Sequence, residues 1–368
     1  MSTATILERI RSFFRKNAKS ETKRKRQLQL KQLEERRVLN ATFAFDGTDQ
    51  LLLSSFDNVG GGGTGSTDLD VSYDSGGGVS GELVFTLNDG VWTDLGVADP
   101  GISVVGGTEL RVDQTIFEDG GDTLDIQILD DTVGATDVML NVTFSSAVSL
   151  PDSPTNGTLM ADVDGNVDID AALTTNGNRI DINAAGNVAI NAGITTLGGT
   201  VNIDAATTVT STAAGTITTT AAADSGTASG TVNILTVDGD ITLAGNIDTS
   251  GADHSGAADT ASAAGQVDIA TLDGAVTAAG IDASGGNATG GGTGGAAAAV
   301  NVTSADAGND ETHNVTLNGA INTSGGTGTT AVGASANVTI VSDNNVTIDQ
   351  AITTSGGNVD IVAATNIA

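Results

Sequence analysis

A chain of 368 residues with 3% aromatics, 50 glycines and no cysteine lacks the large side chains of an ordinary globular core. It also has no disulfide framework and no thiolate metal site. The net charge of −31 is segregated: residues 1–40 carry 12 of the 14 Lys and Arg with 4 Glu, a net of +8, and residues 41–368 carry 2 Arg against 41 acidic residues, a net of −39. An acidic body repels nucleic acid and attracts cations, which excludes nucleic-acid binding by the main part of the chain.

Residues 5–39 are predicted helical. Ile6, Leu7, Ile10, Phe13 and Phe14 share one face, with Arg9, Arg11, Arg15 and Lys16 around it and the basic run KRKR behind. Two readings stand for the 1–40 segment: a solvated tail, or a targeting segment making transient contact with an anionic membrane surface during export. No apolar run is long enough for a transmembrane helix or an ordinary signal-peptide core. The end of the segment, LEERRVL, resembles the N-terminal L-E-P-R-x-L-L motif of large secreted planctomycete proteins. Leu33, Glu34, Arg36 and Leu39 match it, while Glu35 replaces the usual Pro and Val38 a Leu. The resemblance implies a secreted or cell-surface protein and says nothing of activity.

Residues 41–155 hold most of the aromatics and strand-like alternation, in ELVFTLND (82–89), TELRVDQTIF (108–117), DTLDIQILD (122–130) and DVMLNVTF (137–144), separated by Gly-rich turns. The irregular spacing fits the cap of a following repeat, with Phe85, Trp92, Phe117 and Phe144 plugging its interior. A small separate β domain is the alternative.

From about 160 a repeat takes over, so that 156–368 forms one region. The V-x-I strands begin at Val167, Ile180, Val188, Val201 and Val209, in steps of 13, 8, 13 and 8. A period of 21 residues with short strands is the signature of a parallel β-helix, an all-β solenoid, here right-handed by analogy with known coils of this length. Alternation sends both branched residues of V-x-I to one face. Val167, Ile169, Val188, Ile190, Val201, Ile203, Val346 and Ile348 are therefore predicted buried. A third inward position follows at Leu173, Ile194, Ile247, Ile281, Ile321 and Ile352, leading into corners such as ITTLGG and INTSGG. Insertions follow that corner at 252–265, 287–299 and 327–336, and their small residues read as flexible spacers. The V-x-I strands and I-x-T-S-G-G corners over 160–368 resemble the β-helical stalks of filamentous-haemagglutinin-type adhesins and autotransporter passengers. That resemblance implies a structural or adhesive surface module whose partners are other surface proteins or polysaccharide.

Chemistry is sparse. Parallel β-helices host polysaccharide lyases and hydrolases, whose chemistry needs a basic residue or paired carboxylates in a sugar cleft. The repeat offers only Arg179 and no aromatic, Arg111 lies before it, and the adjacent Asp130 and Asp131 would point to opposite faces of a strand. Catalytic and cofactor-binding residues are therefore predicted absent. The weak calcium candidates are Asp162, Asp164, Asn166 and Asp168, at alternate positions in DVDGNVDID. An EF-hand loop needs Gly at position six and Glu at twelve, where Val167 and Leu173 stand. EDGGDTL (118–124) matches part of a calcium-binding nonapeptide once. Loosely bound Ca2+ is the only ion expected. His254 and His313 read as surface residues, and the N-V-T triplets at 301, 314, 337 and 345 follow from the strand pattern. Threonine pairs at the corners raise ice binding as a remote alternative. The sequence stops one Ala after Ile367, an inward-facing repeat position, which predicts further coils or end-to-end association.

Overall fold

The computed structural model describes residues 41–45, 50–54, 67–74, 81–88, 91–94, 101–113, 125–129, 140–150, 157–256, 259–305 and 313–368. Among them every regular element is a strand, and none is a helix long and apolar enough to cross a membrane. The predicted N-terminal helix, Phe117, residues 118–124, Asp130 and Asp131 lie outside the described residues.

The strands form three sheets. Two contain 12 strands and one contains eight two-residue strands. From residue 148 onward the strands visit the three sheets in rotation, and all pairing among them is parallel, so each strand lies beside its counterpart from the next circuit. This is the arrangement of a β-helix or solenoid. Register joins like to like: Ile180, Val201, Val232, Val267, Val300, Val338 and Val359 follow one another across the first long sheet. Alternation then buries one face. Val201–Ala205 has Val201, Ile203 and Ala205 inside and Asn202 and Asp204 at the surface. Each Val–Ile pair removed from water stabilises its circuit by about 3–6 kcal/mol, a gain available only because a neighbouring circuit covers it.

Seven of the eight predicted interior residues are fully buried, and Leu173, Ile194, Ile247, Ile281 and Ile321 join them in the continuous core. Ile348 departs from the expectation, being only partly buried, as are Ile352 and Ile361. All three lie in the last circuit: Ile352 and Ile361 have a paired strand on one side only, and Ile348 is covered on its far side by no more than residues 366–368. There Val359, Val362 and Ile367 are exposed, and Ile367 makes a single bridge to Val346.

Residues 41–149 contribute to the same sheets. Gln50–Ser54 and Asp125–Leu129 extend the first long sheet, Thr67–Asp74 and Leu140–Phe144 the second, and Val148–Ser149 begins the short one. Beyond them most pairing turns antiparallel: Ala41–Phe45 lies against Gln50–Ser54, Glu82–Leu87 against Thr67–Asp74, and Glu109–Asp113 against both Glu82–Leu87 and Ile102–Val105, while Trp92–Asp94 adds to Ala41–Phe45 in parallel. Phe43, Phe85, Trp92 and Phe144 are buried here. Phe43 and Trp92 meet edge to face at 6.4 Å, and the Trp92 indole donates to the Phe85 carbonyl at 3.0 Å. A buried indole N–H needs such a partner.

Candidate functional site

The calcium candidates are spread over a strand, a corner and a second sheet, each engaged separately. Asp162 faces outward on Thr158–Val163 and accepts the Asn183 side-chain amide at 2.7 Å; burial pushes its carboxyl above the ordinary range. Asp164 accepts the Leu140 backbone N–H at 2.6 Å. Asn166 accepts the Asn187 backbone N–H at 2.8 Å. Asp168, on Val167–Ile169, is also pushed up, by burial and then by nearby Asp170. Among the described residues no three His, Cys, Asp or Glu side chains stand together where they would hold a metal. Arg111 is held by Glu82, Asp74 and Glu109 at 3.0, 3.1 and 3.2 Å, which raises its already high pKa and makes it a poor base. Arg179 pairs with Asp181.

What the sequence reading missed is how the polar residues are used. The residue before each second-sheet V-x-I strand reaches its counterpart one circuit away. The Asn141 side-chain oxygen accepts the Asn166 N–H at 2.9 Å, Asn166 accepts from Asn187, and Asn187 accepts the Thr208 N–H at 3.3 Å. Asn314 and Asn345 continue the pattern, the N–H of Asn345 donating to Asn314 at 3.2 Å. Strand faces do likewise: Asn202 donates to Asp181, Asn233 to Asn202 and Asn301 to Asp268, at 2.5, 2.6 and 2.7 Å. The signal was present as the Asn that recurs before Val, whose amide both donates and accepts.

At the corner after the short sheet, the two threonines of each pair separate. Thr174, Thr195 and Thr218 face outward, while Thr175, Thr196, Thr219, Thr249 and Thr323 are fully buried. Each buried hydroxyl donates to the carbonyl at which the chain re-enters the wall. The acceptors are Asn178, Gly199, Gly230, Gly265 and Ala336, at 2.5–2.8 Å and separations of 3, 3, 11, 16 and 13 residues. One neck therefore closes short and long loops alike, except at the 287–299 insertion, where Ala283 stands in place of the threonine. In the short corners Asn176–Gly177, Leu197–Gly198 and Ser355–Gly356 turn the chain with both residues at positive φ. Only one hydroxyl per pair reaches the surface, and that outward row changes to Asp248, Asp282 and Asn322. The corner pairs therefore offer ice no uniform threonine array.

The insertions correct the spacer expectation. They stack, layer on layer, into a fin of two extended arms. Bridges join His254, Ala288 and Gly328 on the outgoing arm, and Thr260, Thr293 and Ala331 on the returning one. Within the fin, successive N–H groups take different directions. Gly285 and Ala288 donate to Ser324 and Thr327 in the next layer, at 3.0 and 2.8 Å, while Gly286 donates to Ser262 on the other arm of the preceding layer at 3.1 Å. A continuous zigzag results: Ala252 O accepts from Ser262, Ser262 O from Gly286, Gly286 O from Gly295, Gly295 O from Gly326, and Gly326 O from Gly333. At the surface Asp253 accepts the Asn287 N–H at 2.7 Å and Asn287 the Thr327 N–H at 2.9 Å. Extended arms make no hydrogen bonds within themselves, so neighbouring arms and layers supply them. Glycine makes this approach possible: a Cβ on Gly295 would lie 1.9 Å from the Ser262 carbonyl oxygen, and one on Gly326 1.8 Å from that of Gly286.

The histidines are also corrected. Each side chain is only 13% exposed, because each lies against carboxylates: His254 between Asp224 and Asp259, and His313 against Asp273 at 2.8 Å.

Comparison with known proteins finds no family model, no curated protein and no solved structure that matches this chain.

Proposed function

We propose that the protein is a non-enzymatic, secreted or cell-surface structural module of adhesin-like type. In this reading a right-handed parallel β-helix with about 21-residue basic coils carries the fin outward, and residues 41–155 close the N-terminal side. The planctomycete-like motif at Leu33–Leu39 and the basic segment around it are the grounds for assigning export.

The observation that carries the reading is the use of the polar side chains. Asn, Asp and Thr along the wall bond to their own counterparts one circuit away, and the two arginines of the acidic body are held by carboxylates. Such ladders stiffen a scaffold, whereas general acid–base catalysis needs groups converging on one reacting bond. Other surface proteins or polysaccharide are the proposed partners, with the fin as contact surface.

Incubating the full chain with a panel of acidic and neutral polysaccharides, and assaying for new reducing ends and unsaturated products, tests this. Retention without turnover is expected; reproducible turnover defeats the reading in favour of a carbohydrate-active β-helix.

A further inference from the structure

The outer end of the fin holds a cluster that neither the wall nor the neck requires. His254 sits on the 252–265 layer, which stacks on the shorter corner at 221–229 as the first two layers of the fin, with its backbone locked: its N–H donates to Asn287 O at 2.8 Å, and its carbonyl accepts from Thr289 at 2.9 Å. Its ring lies between two carboxylates. Nδ1 is 3.4 Å from Asp224 Oδ1 on the preceding layer, and Nε2 is 3.1 Å from Asp259 Oδ2 across the tip of its own layer. Asp224 is further tied to that layer by the Ser255 N–H at 2.6 Å and the Ser255 hydroxyl at 3.0 Å. These contacts hold its carboxyl below the ordinary value, Ser255 contributing most and His254 adding its charge.

An ionised carboxylate only accepts hydrogen bonds, and a neutral imidazole has one donor nitrogen and one acceptor. Nε2 hydrogen-bonds Asp259 and Nδ1 lies at ion-pair distance from Asp224, so the ring attracts both carboxylates at once only when both nitrogens carry protons. Other charge nearby comes from Asp253 alone, which is committed to Asn287 at 2.7 Å. The next layer presents Ala288 and Thr289 here, and neighbouring Gly256 does not titrate.

We propose that His254 is a pH-sensitive latch that joins the first two layers of the fin at their outer end. With both ring nitrogens protonated it bridges Asp224 to Asp259 and closes the tip. Loss of one proton on raising the pH sets a bare nitrogen lone pair against a carboxylate oxygen, and that side of the bridge opens. Asp224 stays attached through Ser255, so the opening is confined to the tip.

The test is nitrogen-15 NMR of the histidine ring in the full chain, alongside amide exchange of residues 253–261 corrected for the intrinsic pH dependence. The expected result is that both ring nitrogens are protonated where the tip is protected. Protection should then fall by about tenfold as one proton leaves, while strands such as Val267–Thr271 do not change. His254→Gln should abolish the step. Asp259→Asn, which leaves the ring in place, should reduce it and is the check if the glutamine variant disturbs the layer. A ring carrying a single proton while the tip is protected overturns the latch, as does a step that survives in both variants.

Discussion

The wall and the fin of this molecule solve one problem in opposite ways. Both stack extended chain on extended chain with successive layers in register. The wall does so with side chains: Val and Ile interdigitate inside, and the backbone ladder follows from their burial. The fin has almost no side chains to bury, so backbone groups do the work, and the absence of Cβ atoms lets two arms touch. The difference teaches that a Gly-rich insertion is not slack chain by default. Where Gly recurs at positions that face another strand's carbonyl, it marks close packing as firmly as Val marks a core.

The largest expected effect separates the two by breaking the wall. Ile203→Ala opens a cavity beside Ile182 and Ile234, its stacked counterparts, and should cost about 2–5 kcal/mol, read as a lower urea midpoint with exchange accelerated in neighbouring circuits. Gly295→Ala strikes the fin instead. Its methyl group would meet the Ser262 carbonyl at 1.9 Å, at a cost of about 1–3 kcal/mol. Amide exchange should rise across 285–297 and remain unchanged in Val300–Ser304. Ala296→Ser, at an exposed position on the returning arm, is the matched control and should stay within about 0.5 kcal/mol of the parent. A Gly295→Ala protein with an undisturbed fin would end the backbone-packing account.

The smallest effect is a difference of sign with pH. Burial raises the carboxyls of Asp162 and Asp168 on the wall. A raised group favours the folded state below its unfolded value and loses that contribution as pH rises through the folded value. Acidification through and just above the ordinary carboxylate range should therefore relieve the wall at these two positions. Asp224 at the fin tip is lowered, so its contribution is present above the ordinary value and lost as pH falls through the depressed one. Residue-resolved exchange on lowering the pH should show the tip loosening while the wall around Asp162 and Asp168 tightens; loosening at both places would refute the contrast.

The wall was legible because its rule is local. Spacing alone placed Val167, Ile190 and Ile203 inside, and alternation chose their face. The fin was not legible, because its hydrogen bonds join residues such as Gly286 and Ser262 that share no side-chain pattern, and flexible linkers have the same composition. The burial of Thr196 and its equivalents was not legible, because a buried hydroxyl needs a carbonyl partner, and the partner's position depends on how the loop returns. Asn166 was weighed as a metal ligand when its oxygen was serving a neighbouring N–H. The His254 environment was hidden for a similar reason: Asp224 is 30 positions earlier in the chain and adjacent only once the layers stack.

The threonine neck gives the corner the character of a splice junction. Thr196 closes onto Gly199 and Thr219 onto Gly230 with the same bond, though the intervening text differs several-fold in length. The wall therefore reads only whether the junction is closed, and insertion length is hidden from its register. Variation at this corner is decoupled from register, and even the 287–299 insertion, whose circuit has Ala283 in place of the threonine, re-enters the wall with the Ala298 N–H donating to the Ala283 carbonyl.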